Sequence, residues 1–171
     1  MNHIVLYQPQ IPPNTGNIAR TCAGTNTHLH LILPVGFSME DKMLKRAGLD
    51  YWNELTITSH DSLGDFLTYA EGGKFHLISK FAHNNYAEVD YSDDSKNHYF
   101  IFGNETSGLP REFMREHREE CVRIPMDDTH IRALNLSNAA SIIIYEALRQ
   151  QKFKNLDLIH HYDKDKLDEP K

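Results

Sequence analysis

The sequence of 171 residues predicts an α/β protein with a mostly parallel sheet and helices on both faces. Short apolar runs that suit buried strands alternate with longer segments of helical periodicity. Two-residue hairpin turns do not separate these runs, so the strands are expected to be joined by crossover connections and to run parallel. Because such sheets bind ligands at the carboxyl ends of their strands, we expect a functional site at that edge.

The positions of strands, helices and loops follow from local composition. Residues 8–14 hold three prolines and predict a stiff loop. Residues 82–97 are polar and acidic and predict a loop that can include a short strand near Val89. Strands are predicted at residues 3–7, 29–33, 55–58, 75–79, 98–102 and 121–124, and helices at residues 18–25, 41–47, 63–70, 111–117 and 138–148. Predicted helix caps are residues 14–17 for the first helix, 38–41 for the second, Asp61 for the third, and Ser137 or Asn138 for the last.

Composition narrows the class of protein. The length fits one domain, which we place at residues 1–154, followed by a polar tail at 155–171 that is expected to fray. A formal net charge of −6 argues against a protein that coats nucleic acid without specificity. The chain shows no signal peptide, no bilayer-spanning segment and no disulfide framework, so the cytoplasm is expected. His28 and His30 would share a strand face, but they lack a third ligand in the sequence and predict a structural role without metal.

The stretch from Arg132 to Arg149 holds a helix that is apolar nearly all round, so we expect it to be buried in the core or against a partner chain. Its entry, residues 134–138, places three polar side chains beside two leucines, where backbone N–H groups lack partners. A plain N-cap explains one of these polar residues. Three in a row, behind an arginine, favour a helix N-terminus that faces a ligand.

Two loops carry further candidates. The loop of residues 103–108 joins a strand to a helix, but it matches neither the dinucleotide nor the nucleoside triphosphate fingerprint. Glu105 in this loop is expected to have a partner such as an arginine. In the first loop and helix, Asn17 and Arg20 are three residues apart and share one helix face. Nucleophile motifs are absent from the sequence, so a covalent intermediate is not expected.

These segments together resemble the SPOUT superfamily of RNA methyltransferases, and within it the short TrmL-like branch. The motifs that carry the resemblance lie in one order along nearly the whole chain, the tail excepted. They are Pro-Gln-Ile-Pro-Pro-Asn-Thr-Gly-Asn-Ile-Ala-Arg from residue 9, Lys-Arg-Ala-Gly-Leu-Asp-Tyr from 45, Phe-Gly-Asn-Glu-Thr-Ser-Gly-Leu-Pro from 102, Arg-Ile-Pro-Met from 123 and Leu-Asn-Leu-Ser-Asn-Ala from 134.

The resemblance implies a parallel α/β fold with a C-terminal trefoil knot that binds S-adenosylmethionine, no metal, and a homodimer whose sites share residues between chains. It also implies 2′-O-methylation of the wobble nucleotide, a cytidine or modified uridine at position 34, in leucine tRNAs. Family members often have serine where Ala133 stands, so a backbone contact is expected there. The implied cofactor-binding residues are Ile78, Ser79, Gly103, Ile124, Ala133 and Leu134.

The resemblance also assigns roles around the reacting ribose. Arg20 is expected to engage the 2′-hydroxyl and its phosphate, with Glu105 and Asn138 orienting it, Asn17 beside it and Ser137 near the methyl donor. Arg46 and Arg132 are second candidates, for gripping phosphate or for catalysis. Lys42 and Lys45 form a short basic cluster with Arg46 and are predicted to bind RNA with it. His130, beside Asp127 and Asp128, is a weaker candidate base. Two alternatives stay open. One is the same chemistry on ribosomal RNA, and the other is a knotted RNA-binding module without catalysis.

Overall fold

A computed structural model describes residues 1–38, 55–162 and 167 of the chain. Within them, seven strands form one sheet in which every pairing is parallel. The strands are β1 (Asn2–Tyr7), β2 (His28–Ile32), β3 (Ile57–His60), β4 (Lys74–Ile78), β5 (Asn84–Asn85), β6 (His98–Phe102) and β7 (Cys121–Arg123). Their spatial order is β3-β2-β1-β6-β4-β7-β5. The predicted α/β class is therefore confirmed.

Helices cover both faces of this sheet. The described helices are α1 (Pro12–Gly24), α2 (Leu63–Tyr69), α3 (Arg111–Glu116) and α4 (Leu136–Gln150), with 3₁₀ turns at Tyr86–Glu88 and Arg118–Glu120. Side chains alternate between the faces along each strand, as the pleat requires. Ile4 and Leu6 of β1 pack with α1 and α4, whereas Val5 packs on the opposite face with Phe66 of α2 and Phe113 of α3.

The start of α1 differs from its prediction. Residues 14–17 were expected to cap the helix, but the helix begins at Pro12, and Asn17 lies inside it. Proline is well suited to the first helical turn because its fixed φ is helical and its missing N–H needs no partner there. Ile11 occupies the cap position and offers no side-chain hydrogen bond. The proline-rich loop is thus shorter than predicted.

Two other predicted caps were wrong by one to three residues. Ser62, not Asp61, caps α2 by accepting a hydrogen bond from the Asp65 amide. Asn135, not Ser137 or Asn138, caps α4 and accepts from the amides of both. In the polar loop, the short strand forms at Asn84–Asn85 instead of near Val89.

The helix α4 has one exposed side in the single chain. Ala140, Ile143, Ile144 and Ala147 are buried against the sheet. On the other side, Ile142 and Tyr145 are exposed by 36% and 51%. Of the two predicted environments, core and partner chain, the core accounts for one side only.

Several predictions lie outside the described residues. They include the helix at 41–47, its capping box from residue 39 onward, and the RNA-binding residues Lys42, Lys45 and Arg46. The domain boundary at residue 154 and the trefoil knot stay predictions. Among the residues that the structure describes, each helix falls short of the length and apolar character needed to cross a bilayer.

Candidate cofactor and RNA site

A cavity of about 970 Å³ opens at the carboxyl edge of the sheet. Its walls are the segments after β4, β6 and β7 and the entry of α4, which are the segments expected to form a site. Apolar side chains such as Ile78, Ile124 and Leu134 share its lining with polar residues. The lining includes Ile11, Asn14, Ile78, Ser79, Phe102, Gly103, Asn104, Glu105, Ile124, Met126, Arg132, Ala133, Leu134, Asn135, Leu136 and Ala139.

All of the residues that the resemblance assigns to cofactor binding line this one cavity: Ile78, Ser79, Gly103, Ile124, Ala133 and Leu134. They come from four segments that are widely separated in sequence. Adjacent parallel strands β4, β6 and β7 bring three of these segments together because their carboxyl ends meet at one edge. Their role toward a cofactor stays a prediction.

The loop of residues 103–108 folds back on itself at the cavity wall. Asn104 and Gly108 form an isolated antiparallel bridge, and Gly108 has a φ of +73°, a conformation that favours glycine. A Cβ at Gly103 would collide with the backbone of Gly108 and Leu109, so only glycine fits there. The Asn104 side chain accepts hydrogen bonds from the amides of Thr106 (3.0 Å) and Ser107 (2.7 Å). The loop is therefore fixed by its own contacts.

Glu105 binds the chain at the start of α1. One carboxylate oxygen accepts a hydrogen bond from the Gln10 amide at 2.8 Å, and the other accepts from the Ile11 amide and the Asn14 side chain, both at 3.1 Å. The prediction of an arginine partner for Glu105 was wrong. Two backbone N–H groups and the Asn14 side-chain amide bind its carboxylate instead. A carboxylate at a helix N-terminus also interacts favourably with the helix dipole. Glu105 thus supplies the capping interaction that Ile11 cannot.

Asparagines extend this contact to the last helix. The Asn135 side chain donates to Asn14 Oδ1 at 3.0 Å, and its own oxygen accepts from the Ser137 amide (2.9 Å) and hydroxyl (2.7 Å). We call Glu105, Asn14 and Asn135 the asparagine–glutamate network. It joins the α1 start, the loop after β6 and the α4 start beside the cavity.

The predicted catalytic residues do not all meet at this cavity. Glu105 lines it, whereas Asn17, Arg20, Ser137 and Asn138 are not among its lining residues. Asn17 and Arg20 are exposed on α1, and Asn138 is exposed on α4. Ser137 is buried, and its hydroxyl is engaged by Asn135. Within one chain, the structure therefore separates the exposed Asn17 and Arg20 from the cavity.

The segment after β7 is held by charged side chains. Arg123 pairs with Asp128 through one guanidinium nitrogen at 2.7 and 2.6 Å from the two carboxylate oxygens. His130, the weaker candidate base, bonds Asp127 at 2.8 Å but is exposed and does not line the cavity. The Thr129 hydroxyl, with the help of His130, lowers the pKa of Asp127. Arg132 is exposed at the cavity rim.

Both thiols are buried. Burial raises the pKa of Cys22 and of Cys121, so each thiol stays protonated near neutral pH. Because the thiolate is the nucleophile, neither cysteine has the character of a catalytic one. This environment agrees with the expectation of chemistry without a covalent intermediate.

A third histidine does join the pair on β2. His3 of β1 lies opposite His28, and His3, His28 and His30 each offer a ring nitrogen within 4.8 Å of the others. The sequence alone did not show this third neighbour. However, His30 uses both ring nitrogens in bonds to His3 (3.0 Å) and His60 (2.9 Å). We call His3, His30 and His60 the histidine chain.

An open parallel sheet with a cavity at its carboxyl edge defines the class as an α/β ligand-binding protein. The SpoU rRNA Methylase family matches residues 1–145, and the chain belongs to this family. The predicted resemblance to SPOUT RNA methyltransferases is confirmed.

Individual relatives sharpen the comparison. A Lactococcus lactis protein with the provisional name tRNA (cytidine(34)-2′-O)-methyltransferase is 62% identical over 98% of this chain and 99% of its own length. A structure solved in work on the 2′-OH methylation of C/U34 on tRNA is 40% identical, with a TM-score of 0.82, over 89% of this chain and 97% of that one. An AdoMet-bound rRNA methyltransferase from Sinorhizobium meliloti is 26% identical, with a TM-score of 0.76, and the match covers 86% of this chain and 56% of that one.

Sequence reasoning missed part of this site. Asn14 was treated only as a cap, and Asn135 was not singled out. Phe81, whose side chain is 72% exposed at the cavity wall, was not considered. A signal for Asn135 was present, because asparagine is among the preferred N-cap residues and precedes Ser137 by two positions. The contact of Asn14 with Glu105 spans 91 residues and has no local signal.

Proposed function

We propose that this protein transfers a methyl group from S-adenosylmethionine to the ribose 2′-hydroxyl of the wobble nucleotide in leucine tRNAs, as a cytoplasmic homodimer. One observation carries the proposal: the residues assigned to the cofactor line a single cavity at the carboxyl edge, in a chain that belongs to an RNA methylase family. The catalytic domain of the proposal spans residues 1–154. The segment 155–171 serves as a tail.

The cavity suits S-adenosylmethionine by its chemistry. Ile78, Ile124 and Leu134 offer apolar contacts for an adenine ring, while backbone groups near Ser79 and Gly103 can bond its polar edge. A volume of about 970 Å³ lies within the range of ligand sites. When bound, the cofactor supplies an electrophilic methyl group on a cationic sulfonium. The AdoMet-bound state of the Sinorhizobium meliloti neighbour supports this assignment.

A second copy of the chain would complete the site. Asn17 and Arg20 do not line the cavity of their own chain, and the exposed Ile142 and Tyr145 of α4 give an apolar surface for pairing. Thr21 of α1 lies 3.4 Å from Ser141 of α4, so these two helices form one continuous surface. Pairing through that surface would bring Arg20 toward the partner's cavity. This arrangement explains why the predicted residues separate within one chain.

Arg20 is proposed as the residue that engages the target ribose. A guanidinium stays protonated in proteins, so it cannot act as an ordinary base at neutral pH. It can donate hydrogen bonds to the 2′-oxygen and to the adjacent phosphate, and a phosphate oxygen can accept the hydroxyl proton as it leaves. The bound cofactor would supply the methyl group, and the residues of the cavity would hold it against the 2′-oxygen. Accurate placement of the two reacting atoms therefore contributes much of the rate.

Glu105 acts as a positioning residue in this mechanism. Its carboxylate fixes the amides of Gln10 and Ile11 at the start of α1. The same helix carries Asn17 and Arg20, so the carboxylate determines where the guanidinium is presented. Asn138 and Ser137, at the start of α4, lie on the helix that Asn135 ties to the same network. Arg132 at the rim is proposed to grip RNA phosphate.

The proposal is tested by methyl transfer from radiolabelled S-adenosylmethionine to tRNA from cells that lack the gene, with nucleoside-resolved mapping. We expect the label at the 2′-oxygen of nucleotide 34 in leucine tRNAs. Arg20→Ala should abolish transfer and leave cofactor affinity unchanged, because Arg20 does not line the cofactor cavity. Lys96→Ala, a change of another exposed cation, is the control and should keep full activity.

Each other outcome has a defined meaning. Full activity of Arg20→Ala would remove Arg20 from the mechanism. Label on ribosomal RNA instead of tRNA would replace the target, a second candidate that the rRNA methylase family description favours. No label on any RNA despite tight cofactor binding would overturn the enzyme in favour of a binding module.

A further inference from the structure

A second cleft opens beside the cofactor cavity, on the side of α3. Its volume is about 750 Å³. Both spaces are lined by Ser79, Phe81 and residues 107–109, so the two share a wall. The far wall carries Arg111, Arg115 and Arg118. We call this space the arginine cleft.

The three arginines form one stripe. Arg111 and Arg115 are four residues apart on one face of α3, and Arg118 begins the 3₁₀ turn that follows the helix. All three line the cleft and are exposed. Glutamates alternate with them in sequence at positions 112, 116, 119 and 120, but none of these carboxylates lines the cleft. The segment is acidic overall, yet the wall that it presents to the cleft is cationic.

Carboxylates do not neutralise this stripe within the described part of the chain. Arg123 and Arg149 both form ion pairs, at 2.6 and 2.8 Å. For Arg111, Arg115 and Arg118, the described residues provide no carboxylate within 4.0 Å. Their guanidinium groups are left to bind an external anion. In a protein of net charge −6, such a local cationic wall selects where a polyanion can approach.

An exposed aromatic ring stands between the two spaces. Phe81 is 72% exposed, and the Lys80 ammonium lies 5.1 Å from its ring centroid. The segment is fixed from behind, because the Phe81 amide donates to the Ser79 hydroxyl and Arg123 donates to the Lys80 carbonyl. A rigid, exposed ring beside cations is how proteins stack an unpaired base and hold its phosphates.

We propose that the arginine cleft binds the phosphate backbone of single-stranded RNA next to the target nucleotide, and that Phe81 stacks on a neighbouring base. The proposal rests on the proposed function, since it places the substrate strand across the wall shared with the cofactor cavity. Guanidinium groups match phosphate geometry through paired hydrogen bonds. The exposed ring beside these cations favours a nucleic acid strand over an acidic protein partner, because an unpaired base can stack on the ring while its phosphates meet the arginines.

The decisive experiment compares two triple variants. Arg111→Gln, Arg115→Gln and Arg118→Gln together remove the charge and keep the helix-forming character. The control variant combines Lys74→Gln, Lys96→Gln and Lys152→Gln and removes the same amount of charge. These exposed lysines lie near the amino ends of the strands, because Lys74 begins β4 and Lys152 follows the end of α4. The affinity of each variant for an anticodon stem-loop RNA is measured by fluorescence anisotropy at several salt concentrations.

We expect the arginine variant to bind RNA more weakly. The slope of log affinity against log salt should fall by about 0.7 for each lost phosphate contact, thus by about 2 for three contacts. The lysine variant should keep both values. Phe81→Ala should weaken binding by about tenfold without changing the slope, because stacking carries no charge. In turnover, KM should rise with little change in kcat, since these contacts hold the strand before and during reaction.

The possible outcomes distinguish failure of the arginine-cleft proposal from failure of the proposed methyltransferase function. Equal affinity and equal slope for the arginine variant and the wild type, with the wild type methylating RNA, would overturn the cleft and leave the function intact. A wild type that binds and methylates no RNA would overturn both. Melting temperature and cofactor affinity report on folding. If the triple variant loses stability, the single changes Arg115→Gln and Phe81→Ala, both at exposed positions, decide the same question.

Discussion

The asparagine–glutamate network and the histidine chain both join segments that are distant in sequence, but they differ in charge and in burial. The network includes the carboxylate of Glu105 and lines the open cavity. The histidine chain crosses β1, β2 and β3 on the face covered by α2. The rings of His30 and His60 stack on each other, and they meet the rings of Phe66 and Tyr69 edge to face. His30 is fully buried. The network joins loops and helix starts at the cavity, whereas the histidine chain joins neighbouring strands of the sheet.

Burial keeps the histidine chain neutral. Desolvation lowers the pKa of His30 to about 2 and that of His3 to about 4. A neutral imidazole has one donor and one acceptor, so a row of them can bond head to tail. The bonds of His3 to His30 and of His30 to His60 form such a row. The two regions therefore predict different responses to mutation, pH and metal.

The largest effect is expected for His30→Ala. The change removes both bonds of the row and leaves buried nitrogens of His3 and His60 without partners. It also opens a cavity in a fully buried place, so we expect a loss of about 3 kcal/mol or more in the free energy of unfolding. Chemical denaturation measures it. His83→Ala, at an exposed position, is the control and should change stability by less than about 0.5 kcal/mol.

Cofactor affinity sharpens the same comparison. His30 does not line the cavity that we propose for S-adenosylmethionine, so the affinity of folded His30→Ala for this cofactor should match that of the wild type. A variant that keeps its stability, or one that loses cofactor binding while folded, would contradict the division of roles between the two regions.

Acid should destabilise the protein through its buried histidines. The folded pKa values of His30, His76 and His3 are about 2, 3 and 4, below the value of 6.5 for the unfolded chain. Below pH 6.5 the unfolded chain binds protons that the folded chain excludes, so stability is present above pH 6.5 and falls as the pH drops toward 4. Each histidine contributes on the order of 1 kcal/mol per pH unit within this window.

The measurement is the free energy of unfolding at pH 7.5, 6.5, 5.5 and 4.5. Exposed carboxylates such as Asp127, whose pKa is lowered, lose their contribution only below the usual range of aspartate, so they do not account for the upper part of the window. A flat profile between pH 6.5 and 4.5 would mean that the histidines are charged in the folded state.

A smaller loss of stability, with a larger loss of activity, is expected for Glu105→Gln. The amide keeps one acceptor, but its NH₂ group faces the N–H groups of Gln10 or Ile11. Replacing charged hydrogen bonds by neutral ones should cost about 1 kcal/mol of stability. A shift in the start of α1 would misplace Arg20, and methyl transfer should fall tenfold or more.

Glu116→Gln, an exposed change on α3, is the control and should alter neither quantity. Cofactor affinity distinguishes positioning from direct binding. A fall in the rate of transfer with a nearly constant cofactor affinity fits positioning of α1. An equal fall in both would make Glu105 a cofactor ligand instead.

The sheet and the location of the candidate site could be predicted from the sequence. The contacts that connect the parts of the site could not. Strands such as residues 98–102 are apolar and short, so local composition predicts them. The start of α1 was misplaced because proline was taken as a loop residue, although it also suits a first helical turn. The partner of Glu105 and the approach of His3 to His30 depend on strand order. Residue spacing along the chain carries no information about that order.

The smallest effect is expected for zinc, which tests whether the histidine chain is only structural. His3 and His30 of the histidine chain form a cluster with His28, and the ring nitrogens of these three residues lie within 4.8 Å of one another. Such a cluster resembles the start of a tetrahedral site, in which nitrogens bind zinc at about 2.0–2.1 Å. His30 would have to break its bond to His3 or to His60 to offer a nitrogen, and His28 already bonds the Thr58 hydroxyl at 2.9 Å. We therefore expect an unchanged melting temperature with equimolar zinc and no bound metal after dialysis. The opposite result is one bound zinc ion per protein molecule that is lost in His28→Ala. It would show that the histidine chain can exchange its hydrogen bonds for a metal ion. The contrast between a neutral structural region and a ligand-binding one would then no longer hold.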